Sequence, residues 1–149
     1  MPETFTCLHY HLVFTTKNRV RSITPAINSR LHEYLGGVVR SANGIPIQIG
    51  GTDDHVHLLV TLHQNIALAD FMRELKAASS GWVNAAFADV GEFRWQRGYG
   101  AFTVSHSSVD SVKEYIANQE EHHRKMLFTE ELRALLTRHE IEFDERYLE

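Results

Sequence analysis

Three scarcities bound what this chain can be. It has a single cysteine, Cys7, so no disulfide can close within it and no cysteine-built zinc site is available. A reducing compartment fits, and any metal has to be held by His, Asp, Glu, Asn or Gln. No run approaches the roughly 18 apolar residues that a membrane span needs. Met1-Pro2-Glu3-Thr4 is not a basic leader into an apolar segment. A soluble, cytoplasmic protein with no membrane partner is expected. The chain also lacks a surplus of positive charge: 15 Lys and Arg face 19 Asp and Glu, a net of -4, which taken as a sum argues against a nucleic-acid partner.

The distribution of that charge says more than its sum. Residues 126–149 hold three basic and seven acidic side chains, and the rest of the chain holds twelve of each. A neutral body with an acidic tail can still carry a local basic surface, and its basic groups cluster at Lys17, Arg19 and Arg21, at Arg73 and Lys76, and at Arg94 and Arg97. With 149 residues and 43% apolar side chains, one globular domain with one core is expected.

The stretch Asp53-Asp54-His55-Val56-His57-Leu58-Leu59-Val60 organises the rest. On a strand, His55 and His57 point to one face and Val56, Leu58 and Val60 to the other, so two imidazoles stand side by side in a good arrangement for one metal ion. A buried pair of structural histidines is the plainer alternative. Around it, Phe5 to Thr16 alternates as a first strand, and Thr24 with Pro25 opens a helix that Asn43-Gly44 stops. Ile45, Ile47 and Ile49 mark a second strand, the His-x-His strand runs to about Leu62, and Asn65 can cap a helix reaching Ala86. Ala101 to Ser105 forms the last strand. Strand, helix, strand, strand, helix, strand is the order of the α+β, ferredoxin-like split βαβ fold: an antiparallel sheet with helices on one face. The expected division is a core over 1–107, a catalytic helix over 108–128 capped by Ser108 or Asp110, and an acidic C-terminal helix and tail over 129–149. Leu132, Leu135 and Leu136 suggest that this last helix packs on the body.

Tyr115 and Gln119 lie one helical turn apart, beside the apolar stripe of Val112 and Ile116. A tyrosine at a helix border with a rim glutamine is the ordinary reading. Packed against the His-x-His strand, though, two imidazoles and a glutamine oxygen make three ligands for a divalent ion, and the phenol is placed to attack a phosphate polarised by it. Tyr99, between glycines, is a competing nucleophile without a ligating neighbour. His9 and His11 form a second same-face pair, read as core or sheet-edge histidines, and His122 and His123 read as a solvated helix end.

Tyr10-His11-Leu12-Val13-Phe14-Thr15-Thr16-Lys17, Asp54-His55-Val56-His57-Leu58-Leu59, Phe71-Met72-Arg73-Glu74-Leu75-Lys76 with Ser79 and Ser80, and Tyr115-Ile116-Ala117-Asn118-Gln119 together resemble the one-tyrosine HUH transposases, the small DNA-strand transferases of minimal insertion sequences and their REP-associated relatives. The resemblance covers residues 5–125. It implies His55, His57 and Gln119 as ligands of Mg²⁺ or Mn²⁺, and Tyr115 as the nucleophile forming a 5′-phosphotyrosine with single-stranded DNA next to hairpin ends. It also implies a homodimer, in which the tyrosine helix of one subunit can complete the other's site. Lys17, Arg19, Arg21, Arg73 and Lys76 are the expected DNA phosphate contacts, with Phe14, Trp95 and Tyr99 as stacking candidates. A metal-dependent phosphodiesterase without a covalent intermediate, and a non-catalytic hairpin-binding module, are the alternatives.

Overall fold

The computed structural model describes residues 3–148. Four strands, β1 (His9–Thr15), β2 (Ile45–Gly51), β3 (His55–Thr61) and β4 (Gly100–Val104), pair antiparallel in the order β2-β3-β1-β4. That is the split βαβ order, with both central strands drawn from the first and third positions of the chain. Helices α1 (Pro25–Ser41) and α2 (Leu68–Ala86) cover one face. Leu12, Phe14, Val56, Leu58 and Val60 point into that layer and meet Ile27, Leu31, Leu35, Phe71, Met72 and Leu75, which makes the main core. The other face is covered by α3 (Val109–Ala117), α4 (Gln119–His123) and α5 (Phe128–Arg138). There Val13 and Phe102 meet Phe128 and Leu135, with Leu132 and Leu136 packed alongside, as the leucine spacing anticipates.

Pro25 opens α1 as expected. Asn43 takes a left-handed φ of 62° just beyond its end, where an asparagine can replace the usual glycine. The last strand, expected over Ala101 to Ser105, runs one residue earlier, and three other boundaries differ more. The first strand begins at His9 rather than Phe5. Asn65 does not cap α2, whose N-cap is Ala67; its side chain is spent on His63 Nδ1, at 2.6 Å. The long helix expected to reach about Phe128 breaks at Asn118, whose φ of -103° and ψ of 25° leave the helical range while its side chain donates to the Glu114 carbonyl at 3.0 Å. Among the described residues no helix is long and apolar enough to cross a membrane.

Candidate active site

Alternation along β3 sets the first step. Because Val56, Leu58 and Val60 enter the main core, His55 and His57 face the α3–α5 layer, where both are fully buried. Gly50 pairs with His57 across β2, and a Cβ there would collide with the backbone carbonyl of Ile116 on α3. Its lack of a side chain lets α3 settle onto the sheet beside the histidines.

Each imidazole is oriented from behind. His55 Nδ1 lies 2.7 Å from Asp54 Oδ1 and 3.0 Å from Thr52 Oγ1. Burial works to raise the Asp54 pKa, but the hydrogen bonds from His55 and Thr52 together with the nearby positive charge outweigh it and the group stays below its ordinary value, an ionised acceptor. It holds the ring at Nδ1, so that His55 Nε2 faces Gln119 Oε1 at 3.1 Å. His57 is held at Nδ1 by His11 Nε2, at 2.7 Å. Burial lowers the His57 pKa to about 4 against the upward pull of Glu131, and lowers that of His11 to about 3 with His57 adding to the effect. Both rings are neutral at pH 7, the state a metal ligand requires.

The group on which everything converges is Glu131 of α5, 1% exposed. Its Oε1 accepts from His57 Nε2 at 3.0 Å and His123 Nε2 at 3.1 Å. Its Oε2 accepts from Gln119 Nε2 at 3.1 Å and from the Tyr115 hydroxyl. His122 Nε2, buried and without a hydrogen-bond partner, lies 3.3 Å from the same oxygen. Burial alone would raise the Glu131 pKa, but the bonds from His123 and His57 prevail and hold it far below the carboxylate range. The Tyr115 phenol, half-buried, is pushed above its ordinary value by burial and then by that carboxylate. Burial opposes the charged form of His123, yet its bond to Glu131 together with the negative charges of Glu131 and Asp54 raises its pKa on balance.

Ligand atoms of His55, His57, His123 and Glu131 all lie within 4.8 Å of one another. Donors around an octahedral ion with bonds of about 2.1 Å stand roughly 3 Å apart. The separations at His57–Glu131 and His55–Gln119 match that edge. This donor set, with the unpartnered His122 nitrogen beside it, fits a divalent metal ion.

The expected Tyr115, His55, His57 and Gln119 thus meet within one chain. The histidines expected at a solvated helix end, His122 and His123, turn inward to Glu131 instead, beyond the break at Asn118. His11 supports His57, whereas His9 stands apart from this site. Glu131 was not expected. Its signal was a carboxylate at the centre of the stripe Phe128, Glu131, Leu135, a position that helical spacing otherwise reserves for apolar side chains. Among the basic side chains, the Arg19 guanidinium sits 5.7 Å from the Phe128 ring centre, and that ring packs on His55 with centroids 4.6 Å apart. Lys17 is exposed, and Arg21 pairs with Asp53 at 3.8 Å. Arg73 and Lys76 lie on α2, across the sheet. Arg73 pairs with Asp70 at 3.1 Å, and the Lys76 ammonium is bound to the carbonyls of Gln96 and Gly98 at 2.7 and 2.6 Å. Phe14 is core, Trp95 donates to Ser79 Oγ at 2.9 Å, and Tyr99 is 42% exposed.

Comparison with known proteins bears on all of this. A family described as "Transposase IS200 like" matches residues 4–119. The ISDra2 transposase TnpA of Deinococcus radiodurans is 29% identical over 118 residues, spanning 75% of this chain and 84% of that protein. The transposase of insertion sequence element IS200 from Salmonella typhimurium is 26% identical over 116 residues, 74% of this chain and 75% of that one. The crystal structure of a protein from Deinococcus radiodurans R1 assigned as a transposase superposes with a TM-score of 0.65 at 26% identity, covering 80% of this chain and 95% of the other. A REP-associated tyrosine transposase bound to a REP hairpin shares the fold, with a TM-score of 0.55 at 16% identity over 78% and 70% of the two chains.

Proposed function

Because the chain belongs to the IS200-like transposase family, we propose that it cleaves and rejoins single-stranded DNA through a covalent bond between Tyr115 and a 5′-phosphate. The Tyr115 oxygen attacks phosphorus, the bond to the 3′ oxygen breaks, and that oxygen takes up a proton to leave as a 3′-OH. Attack by a 3′-OH on the phosphotyrosine reverses the step, so the diester energy is kept for rejoining. The observation that carries this reading is the convergence of Tyr115, His55, His57 and Gln119 on the Glu131 carboxylate within one chain.

His55, His57 and Gln119 are the proposed metal ligands, and Glu131 adds a fourth. The two imidazole nitrogens favour Mn²⁺ over Mg²⁺ among hard divalent ions. Bound there, a divalent ion supplies polarisation of the scissile phosphate and positive charge that eases loss of the phenol proton. Asp54 and Thr52 fix the His55 ring, and His11 fixes His57, so the donors stand ready before substrate arrives. Glu131 Oε2 holds the Tyr115 hydroxyl in place and protonated until then.

The DNA path we infer follows the groove lined by Arg19, Arg97, Tyr99 and Phe128, which borders the site through the Phe128–His55 contact. Lys17 and Arg21 extend it as phosphate contacts. Arg73 and Lys76 would meet only DNA that wraps past the 96–98 loop. A hairpin next to the cleaved strand is the proposed substrate, in keeping with the fold neighbour solved on one. The expected homodimer would pair two complete sites rather than exchange tyrosine helices, since one chain already unites Tyr115 with both histidines.

The test is incubation with Mn²⁺ and a labelled single-stranded hairpin oligonucleotide. A denaturation-resistant protein–DNA adduct is expected, absent in Tyr115→Phe. Cleavage that persists in Tyr115→Phe without adduct would mean attack by water, and an adduct mapping to Tyr99 would overturn the nucleophile.

A further inference from the structure

A second cluster of ligating atoms sits at the far end of β1, and the sheet register explains why it forms. β1 and β4 pair His9 with Val104. Continued two residues beyond the ladder in each direction, that register sets Cys7 opposite His106, in the turn His106–Ser108 that leads into α3. Alternation places Cys7 on the same face as His9. The three side chains accordingly meet: Cys7 Sγ is 3.2 Å from His9 Nε2 and 4.0 Å from His106 Nδ1, and the two ring nitrogens are 3.1 Å apart.

We propose that Cys7, His9 and His106 form a second metal site, one that takes a thiophilic ion of the Zn²⁺ class rather than the Mg²⁺ or Mn²⁺ of the catalytic centre. Tetrahedral zinc with Zn–N near 2.0 Å and Zn–S near 2.3 Å holds its donors roughly 3.3–3.6 Å apart. The three observed separations bracket that range. Thr61 Oγ1 lies 2.8 Å from His9 Nδ1 and orients the ring so that Nε2 faces the sulfur, the supporting contact that ligating histidines commonly have. His9 Nε2 has one site to share between the sulfur and the His106 nitrogen, so the protons available cannot satisfy every contact, and a cation at their centre does. Among the described residues, the His, Cys, Asp and Glu side chains gathered here are this thiol and two imidazoles. Such a sulfur-and-nitrogen set selects zinc-like ions over hard, oxygen-seeking ones.

Cys7 and His106 are exposed, so the fourth position is open to water or a further ligand, and loading needs no opening of the fold. On binding, the Cys7 S–H bond gives its proton to solvent and the thiolate bonds the ion. The ion would then join the segment before β1 to the turn from which the Tyr115 helix starts. A single cysteine excludes a site built of several thiolates but not this one, which needs only one and so departs from the expectation that any metal is held without cysteine.

Cobalt is the probe. Cys7 is the sole cysteine, so any thiolate-to-Co²⁺ charge-transfer band in the near ultraviolet belongs to this site alone. Titration of the full chain should saturate such a band at one Co²⁺ per chain in a monodisperse sample. Zn²⁺ should abolish the band and Mn²⁺ should not. The band should survive in His55→Ala with His57→Ala, disappear in Cys7→Ser, and demand about tenfold or more Co²⁺ in His9→Ala and in His106→Ala. Melting the variants in chelator serves as the fold check, and Zn²⁺ should raise the melting temperature of the unmodified chain but not of Cys7→Ser. Absence of the band, its persistence at unchanged affinity in His106→Ala, or saturation at half an equivalent with chain dimerisation through Cys7 would overturn the proposal. None of these readouts depends on DNA cleavage, so failure here leaves the Tyr115 reading standing and the converse also holds.

Discussion

The two faces of β1 and β3 are built from the same strands and do opposite things. One face gives Leu12, Phe14, Val56, Leu58 and Val60 to a dry aliphatic core. The other gives His11, His55 and His57 to a buried polar network closed by Tyr115, Gln119, His123 and Glu131. The apolar face stabilises the fold by removing side chains from water. Burial of the polar face is tolerated because most of its polar atoms bond to one another, and those bonds hold the side chains in place. Strand alternation lets neighbouring residues serve these two ends with little interference.

That division can be broken by experiment. The largest effect expected is from Tyr115→Phe, which should reduce adduct formation to background while leaving the melting temperature close to that of the unmodified chain, because the ring and its packing remain. Leu58→Ala should cost about 2–5 kcal/mol in denaturant unfolding. His57→Ala should cost less stability and remove metal binding; equal stability losses at the two positions would mean that the faces are not separable. Glu131→Gln should weaken Mn²⁺ binding measured by calorimetry by roughly 10–100-fold with the fold retained. Unchanged Mn²⁺ affinity in that variant together with faster adduct formation would recast Glu131 as a plug rather than a ligand.

Gly50→Ala should push α3 off the sheet through the Ile116 carbonyl, costing about 1–3 kcal/mol and slowing adduct formation more than Leu58→Ala does at temperatures where both are folded. The smallest effect concerns pH in the metal-free protein. His11 and His57, depressed to about 3 and about 4, bind protons more readily unfolded than folded. Their contribution is complete above an unfolded value near 6.5 and declines as pH falls toward those folded values, so the step from pH 7 to 6 should cost on the order of 1 kcal/mol. His123, raised, works the other way and trims the loss. Stability that rises on acidification through this window would contradict neutral, buried imidazoles.

Much of this was legible in the residues. The order of elements, Pro25 at the start of α1 and the same-face pair His55 and His57 are local patterns, and each appears where expected, while Tyr115 and Gln119 are brought together from the two helices on either side of Asn118. The break at Asn118 was not legible, because an asparagine inside an otherwise helical pattern decides between continuing and leaving according to what the next turn can bury. Here His122, His123 and Gln119 are drawn to the Glu131 carboxylate. The leucine spacing within the acidic segment from Glu130 onward predicts a short helix packing on the body, and α5 does so as far as Arg138; the charge of the segment conceals that one carboxylate faces inward.

The sequence by itself determined which strand face would be dry and which would carry imidazoles, because a period of two leaves no freedom in the matter. It also placed the chain in its family, since the motifs that carry the resemblance lie within the matched residues 4–119. Only the tertiary structure decided that Glu131, 74 positions from His57 and beyond that matched segment, reaches the buried imidazoles, and that Cys7 finds His106 across 99. Those meetings depend on the path of the whole chain through the sheet order and the α4–α5 turn. Side-chain periodicity reports only on neighbours a few residues away.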